Sequence, residues 1–362
     1  DAAGGVLYVG KARNLKQRLA SYFRTPAATP HAAKTQALVA QIQGIEVTVT
    51  HTETEALILE STLIKELKPR YNILLRDDKS YPYIFLSTEH EYPRLALHRG
   101  ARRAAGRYFG PYPSALAARE SLHLLQKLFQ VRQCEDSFYR NRSRPCLQHQ
   151  IKRCTGPCVG LVSPADYAAD VRHTIMFLEG KNPEVISELA TRMEAAASQM
   201  QFEQAAHYRD QIGHLKQVQE HQYVSGEKGD LDVIAALIQN GVGCVEVFFI
   251  RAGRALGNKA FFPRLPQSAT AAEMLAAFLP QYYLTRQTDG SEGQRVIPGG
   301  VIILPGVEDA ELLQQALSSQ AGRHVSLSSR VRGERARWLK LALINAEQAL
   351  AQRLASQDHL SA

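Results

Sequence analysis

The chain has 362 residues, of which 45% are hydrophobic and 22% charged, an ordinary globular composition that excludes wholesale disorder. Its 43 lysines and arginines exceed its 35 aspartates and glutamates, so the formal net charge is +8. That balance favours a polyanionic partner such as DNA, RNA or an anionic membrane surface. No run of about 20 apolar residues predicts a membrane-spanning helix, and no secretory signal opens the chain. We therefore expect a cytoplasmic protein of two or three folded units, without a membrane partner.

Residues 1–95 have the pattern of a compact mixed α/β domain. Residues 6–9 form a short β-rich run, and residues 45–50 alternate as a half-buried strand does. Apolar residues at helical spacing predict helices over residues 11–23 and 54–67.

Polar side chains with complementary chemistry follow the first predicted strand. Gly10 lets the chain turn sharply, so the Tyr8 hydroxyl and the Lys11 amine can project to one side. Arg18 and Tyr22 follow at spacings that share a helix face. A phenol, an ammonium and a guanidinium suit a phosphodiester, because the cations stabilise phosphate charge and the phenol can accept a proton from water. The alternative is a solvated basic helix beside an ordinary sheet tyrosine.

A single acid lies in the apolar stretch of the second predicted helix. Glu60 is costly there unless it is paired or bound to a metal. One carboxylate is the minimal protein ligand for Mg²⁺, which keeps its waters and binds phosphate. A salt bridge from Glu60 to Lys65 or Arg18 is the alternative. Asn72, taken alone, is typical of a turn.

Four blocks, taken in order, resemble the GIY-YIG nuclease domain in the version found in the UvrC family of bacterial nucleotide excision repair. They are residues 8–15, 18–23, 55–60 and 64–72. The family's first motif, a Gly-Ile/Val-Tyr strand about ten residues before the second tyrosine, does not precede Tyr8. We therefore expect a chain truncated at this end that cuts DNA weakly on its own.

The resemblance also implies a role for each site residue. Tyr8 becomes the general base or water-orienting group, and Glu60 holds one Mg²⁺ or Mn²⁺ ion. The remaining residues contact phosphate and nucleophile or complete the site: Lys11, Arg18, Tyr22 and Asn72.

Residues 96–165 form a basic region with one predicted helix, over residues 115–129, ahead of a cysteine group. The group is Cys134, Cys146, Cys154 and Cys158, spaced C-x11-C-x7-C-x3-C. Because thiolates repel one another, four of them predict a bound cation, either Zn²⁺ or an iron–sulfur cluster. Four reduced structural thiols are the alternative. The resemblance to the UvrC family implies a 4Fe–4S cluster.

Residues 166–222 predict a helical region with a hairpin at about 183–220. Asn182 is the expected N-cap, with Pro183 in the first turn. Residues 202–210 resemble the UVR motif, which implies docking on a similar hairpin of UvrB. The expected contact residues are Phe202, Ala205, Ala206, Tyr208 and Arg209. Packing against the chain's own domains is the alternative.

Residues 223–362 predict a mixed α/β domain that begins with a meander and ends in a helix. The expected strands are residues 231–237, 243–249, 256–262 and 301–304. The resemblance implies an RNase H-like domain. The family's Asp-Ile-Ser-His block and its helix-hairpin-helix modules do not occur, so we expect the second nuclease site to be missing. Asp230 and Asp232 are more typical of a solvent-facing strand edge than of metal ligands.

The whole pattern predicts an α/β multidomain protein of the UvrABC excinuclease. The expected activity is a metal-dependent nick in damaged double-stranded DNA, 3′ of the lesion, after docking on UvrB. The alternative is a scaffold fragment that binds UvrB and DNA without cutting. A stand-alone restriction or homing nuclease is disfavoured by the cysteine group and the hairpin.

Overall fold

The computed structural model describes residues 1–23, 32–75, 81–222, 229–266, 269–285 and 295–361. The chain divides into two compact units. The first contains Asp1–Lys79, Leu231–Phe248 and Asn258–Ala362, and the second contains Ser80–Asp230 and Phe249–Gly257. No helix within the described ranges is long and apolar enough to cross a membrane.

The described elements, in chain order, alternate between helical and mixed regions. The helices are α1 Leu15–Phe23, α2 Ala32–Val39, α3 Glu53–Leu67, α4 Ala115–Phe129, α5 Asp136–Arg140, α6 Leu147–Gln150, α7 Pro164–Leu178, α8 Asn182–Ser198, α9 Phe202–Gln222, α10 Ala271–Tyr283, α11 Ala310–Ala321 and α12 Glu334–Ser361. The strands are β1 Tyr83–Ser87, β2 Leu95–His98, β3 Gly106–Phe109, β4 Leu231–Gln239, β5 Val242–Arg251, β6 Arg254–Phe261, β7 Gly300–Ile303 and β8 Ser326–Ser328. The predicted α/β multidomain class is confirmed.

Local sequence signals fix the ends of α3 and α1. The Thr52 side chain accepts the Glu55 N–H and caps α3, which ends at Lys68 with φ of 50°, just before Pro69. The helix predicted over residues 54–67 is confirmed. Helix α1 begins later than predicted because the Asn14 side chain accepts the Gln17 N–H at 3.1 Å and caps it there.

The strands predicted at residues 6–9 and 45–50 are wrong, since neither run joins a ladder among the described residues. Residues 6–9 are extended but are held only locally, for example by the Tyr71 N–H donating to the Leu7 carbonyl at 3.1 Å. In residues 45–50 the apolar side chains are exposed, with Val49 at 88%. Alternation predicts a strand only where a second strand and a covering layer complete it.

A five-stranded mixed sheet has the strand order β6-β5-β4-β7-β8. The meander turns at Asn240-Gly241 and Ala252-Gly253, where all four residues have positive φ, as two-residue type I′ hairpins require. Strand β7 pairs in parallel with both β4 and β8. The predicted meander and following parallel strand are confirmed.

Helix α12 packs on this sheet through a stripe of small and aliphatic side chains. Ala346 and Leu350 are fully buried against Cys244 of β5. Ala342 is fully buried as well, which extends the buried stripe one turn towards the helix start. The terminal helix therefore finds its packing partner in the domain that precedes it.

Within the first unit, the segment after α3 is joined to α10. The Gln281 side chain donates to the Ile73 carbonyl at 2.9 Å and accepts the Leu75 N–H at 2.9 Å. Leu74 and Arg264 also exchange two backbone hydrogen bonds. Helix α3 packs against α10 and α11. These contacts fix α3, which carries Glu60, relative to the start of α11.

The second unit contains the antiparallel sheet β2-β1-β3 and a helical layer. Helix α4 has the predicted bounds and is capped by Ser114, whose side chain accepts the Ala117 N–H. Phe129 of α4 packs edge-on against Phe177 of α7, with ring centroids 5.8 Å apart. Helices α8 and α9 form the predicted hairpin, so this expectation is confirmed.

The prediction that Asn182 caps the hairpin is wrong. The N-cap is Lys181, and Asn182 is the first residue of α8. Its side chain is fully buried, and neither its Nδ2 nor its Oδ1 atom has a hydrogen-bond partner. Pro183 still lies in the first turn as expected, because a missing N–H is harmless there.

Candidate nuclease site

The ring of Tyr8 lies directly over Gly10. A Cβ atom at position 10 would be 2.7 Å from the Tyr8 Cε1 atom and 2.9 Å from its hydroxyl oxygen. Carbon atoms do not approach so closely, so only glycine leaves room for the ring in this position. The predicted role of Gly10 thus has a steric basis.

Arg18 and Tyr22 of α1 meet this ring. The Arg18 Nη2 atom is 3.5 Å from the Tyr8 hydroxyl, a long contact, and its guanidinium lies 5.2 Å from the centre of the Tyr22 ring. The two tyrosine rings are 5.9 Å apart and tilted. The helical spacing of Arg18 and Tyr22 therefore does bring both side chains to Tyr8.

Glu60 reaches the same place from α3. Its Oε1 atom accepts the backbone N–H of Lys11 at 3.0 Å. Burial raises the pKa of Glu60 above its usual value, more than that hydrogen bond and the charges of Lys11 and Arg18 lower it. Burial also raises the pKa of Tyr8, with Tyr22 adding to the effect, so the phenol is neutral at physiological pH.

Asn72 supports the tyrosine segment from behind. Its Oδ1 atom accepts the Val9 N–H at 2.9 Å, and its Nδ2 atom donates to the Val9 carbonyl at 2.8 Å. The buried amide thereby replaces the two hydrogen bonds of a neighbouring strand. In this position Asn72 is a positioning residue for Tyr8.

Asp309 is a member of this cluster that the sequence did not predict. Its Oδ2 atom is 2.5 Å from the Lys11 Nζ atom, and the hydrogen bond from Lys11 holds the pKa of Asp309 below its usual value. Asp309 directly precedes α11 and has φ of 55°. Since 298 residues separate the partners, no local pattern could reveal the pair. A phosphate that binds Lys11 has to displace this carboxylate.

The donor set around Glu60 fits a hard divalent ion. One carboxylate faces a phenol and a guanidinium, which is enough for an ion that keeps most of its waters and takes phosphate oxygens. In the described ranges, no three histidine, cysteine, aspartate or glutamate side chains are grouped so that they could hold a metal without substrate.

The four predicted cysteine ligands are free thiols of the second unit. Burial, with the charges of Cys134, Cys146 and Cys158 adding to it, raises the pKa of Cys154 to about 11. The thiols are therefore near enough to repel one another as thiolates. The Gly156 N–H lies 3.5 Å from the Cys154 sulfur. This donor set fits a thiolate-bound cation chemically, although the described side chains do not form a closed metal site.

The hairpin of α8 and α9 has a covered end and an uncovered end. Near the turn, Met200 is 78% exposed and Phe202 is 68% exposed. Of the other predicted contact residues, Ala205, Ala206 and Tyr208 are half-buried, and Arg209 is exposed beside Asp210. At the far end Leu215 is fully buried, and Gln211 donates to the Leu128 carbonyl at 2.6 Å. Packing within the unit therefore accounts for only part of the apolar stripe.

Four domain families match the sequence in chain order. They are described as the UvrC-like GIY-YIG domain over residues 1–73, the UvrC/Cho excinuclease middle domain over 81–177, the UvrB/uvrC motif over 183–218 and the UvrC Ribonuclease H-like domain over 230–353. The clustered residues of the nuclease site lie in the first match, apart from Asp309, which lies in the fourth.

Curated relatives match across the chain. The UvrABC system protein C of Alkalilimnicola ehrlichii is 56% identical over 99% of this chain and 56% of its own length. Those of Pseudomonas entomophila and Pseudomonas aeruginosa are 57% and 56% identical over the whole chain and 58% of their own lengths. The chain thus spans little more than half the length of these relatives. No solved structure matches it.

Proposed function

This chain belongs to the UvrC family, and on that premise we propose that it acts in nucleotide excision repair by nicking damaged double-stranded DNA 3′ of the lesion. The observation that carries the proposal is the meeting of Tyr8, Arg18 and Glu60 around one spot, with Lys11 beside them. These groups are the minimum that metal-assisted phosphodiester hydrolysis needs.

Each side chain has one task in this reaction. Arg18 neutralises charge on the scissile phosphate, and Lys11 does the same once Asp309 is displaced. Tyr8, kept neutral by burial, orients the attacking water and passes a proton when a cation lowers its pKa. Tyr22 holds the Arg18 guanidinium against its ring face. Glu60 would hold Mg²⁺ or Mn²⁺, which supplies Lewis-acid stabilisation when bound.

The experiment is a nicking assay on a lesion-containing duplex with UvrA, UvrB, ATP and Mg²⁺. The chain is expected to produce a 3′ nick that the variant Glu60→Gln does not produce. Absence of the nick in the unchanged chain, while it still binds UvrB and DNA, would favour the non-cutting scaffold. The occupation of Lys11 by Asp309 is the observation that favours that second function.

Substitution of Gly10 is expected to slow incision without unfolding the chain. In Gly10→Ala the new Cβ pushes the Tyr8 ring away, and a displacement of about 1 Å at a reacting group costs about 10- to 100-fold in rate. The nicking assay measures the loss. Gly44→Ala is the matched control, because a Cβ there meets no atom within 4 Å. Equal rates for both variants would contradict the placement of the ring.

We propose UvrB as the partner of the hairpin. The exposure of Phe202 beside a half-buried Ala206 supports this, since an apolar end on a two-helix hairpin is completed by a second hairpin.

For the cysteine group we propose a 4Fe–4S cluster, with Zn²⁺ as the alternative. Protein purified without oxygen is expected to absorb in the iron–sulfur charge-transfer region and to contain about four irons per chain. Cys154→Ser should lose both signals, whereas Cys244→Ser, which changes a buried thiol of the other unit, should keep them. One equivalent of zinc without iron would contradict the cluster.

A further inference from the structure

A second basic site lies in the first unit, where β7 and β8 end and α12 begins. It is a cavity of about 500 Å³. Its lining combines aliphatic side chains with cations: Leu304, Ser329, Arg330, Val331, Arg332, Ala336, Leu339, Lys340 and Leu343. We call it the α12 groove. None of these residues takes part in the nuclease site.

The cations of the α12 groove are available to a ligand. Arg330, Arg332 and Lys340 are exposed and make no ion pair with any side chain in the described part of the chain. Residues 328–340 contain five arginines and lysines but a single acid, Glu334. That acid is taken by Arg337 at 2.8 Å. The groove therefore carries a positive charge that nothing described in the chain neutralises.

The place of the groove in the fold suits an anionic ligand. Strands β7 and β8 are parallel neighbours, and ligands of open α/β sheets bind outside the carboxyl ends of such strands. Gly333, with φ of 60°, turns the chain from the end of β8 into α12. The positive end of the α12 dipole adds to the field of the arginines.

We propose that the α12 groove binds the phosphate backbone of DNA and gives the RNase H-like domain a nucleic-acid contact of its own. The inference extends the proposed function and rests on it for the identity of the polyanion. Its lining has no aromatic ring on which a base could stack, so the contact is with the backbone and independent of sequence. An acidic peptide is the competing ligand, but the cations stand at a rim that continues along an exposed helix, as a backbone contact needs.

The test is DNA binding measured by fluorescence anisotropy with a labelled duplex, without divalent metal and without UvrA or UvrB. The double variant Arg330→Gln/Arg332→Gln is expected to bind at least about tenfold more weakly at moderate salt. Loss of two phosphate contacts also lowers the slope of log affinity against log salt by about 2. Lys340→Gln alone should lower that slope by about 1.

The matched control is Arg119→Gln/Lys127→Gln, which removes two exposed cations from α4 and so changes the net charge equally. The control should keep the slope of the unchanged chain. An equal loss in both double variants, or no loss in either, overturns the proposal. Unchanged DNA binding with loss of poly-glutamate binding by the groove variant also overturns it, in favour of a protein ligand. Because the readout involves no cleavage, a chain that fails to nick DNA can still confirm the groove.

Discussion

Replacement of Glu60 by glutamine is expected to lower the rate of 3′ incision at least about 100-fold, a loss of the size found when one preorganised stabilising group is removed. Glu60 is the carboxylate that faces Tyr8 and Arg18, and an amide binds Mg²⁺ much less strongly. The glutamine oxygen can still accept the Lys11 N–H, so the backbone of the site stays in place. Incision rates at saturating Mg²⁺ measure the effect.

The same substitution has a predictable effect on folding. Burial raises the pKa of Glu60 in the folded chain, so the folded state binds its proton more tightly than the unfolded state does. The free energy of unfolding therefore falls as pH rises from the ordinary carboxyl range through the raised pKa. Glu60→Gln removes that fall, so at neutral pH the variant should be at least as stable as the unchanged chain.

The control for both effects is Glu66→Gln, an exposed position on the same helix. It should change neither the incision rate nor the pH dependence of denaturant unfolding. An incision rate close to that of the unchanged chain in Glu60→Gln would remove the metal role from this residue. A loss of stability in that variant would attribute any slower incision to misfolding.

The parts of the fold that the sequence predicted are those with local causes. Helix α4 has a capping serine and an apolar stripe, and helix α3 a capping threonine, so both follow from a few adjacent residues. The hairpins at Asn240-Gly241 and Ala252-Gly253 need positive φ, which short turns favour. Residues 45–50 failed because alternation says nothing about whether a neighbouring strand exists.

The candidate site divides in the same way. The meeting of Tyr8 with Arg18 and Tyr22 depends on one turn and one helix, so spacing could predict it. The pairing of Lys11 with Asp309 depends on the packing of α3 against α11 and has no local signal. Asn72 has a role beyond that of a turn residue, since only the folded chain shows its amide bonded to Val9.

The double variant Phe202→Ala/Ala206→Glu is expected to abolish binding to UvrB in a pull-down. An exposed aromatic side chain at a hairpin end is a typical anchor, and its truncation costs about 2–4 kcal/mol, or at least about 30-fold in affinity. A glutamate one turn further along α9 would bring an unpaired charge into the same contact, which costs more. Both changes are compatible with a helix, so the free chain should keep its melting temperature.

The choice of control decides what a loss of binding means. Leu116→Ala/Ala355→Glu makes the same two kinds of change at exposed positions on α4 and α12, away from the hairpin. It should retain UvrB, because neither position adjoins the exposed end of α9. Equal retention by both variants would show that UvrB does not use this end of the hairpin. The apolar surface at Met200 and Phe202 would then need another partner, since exposed side chains of this size on a helical turn are costly in water.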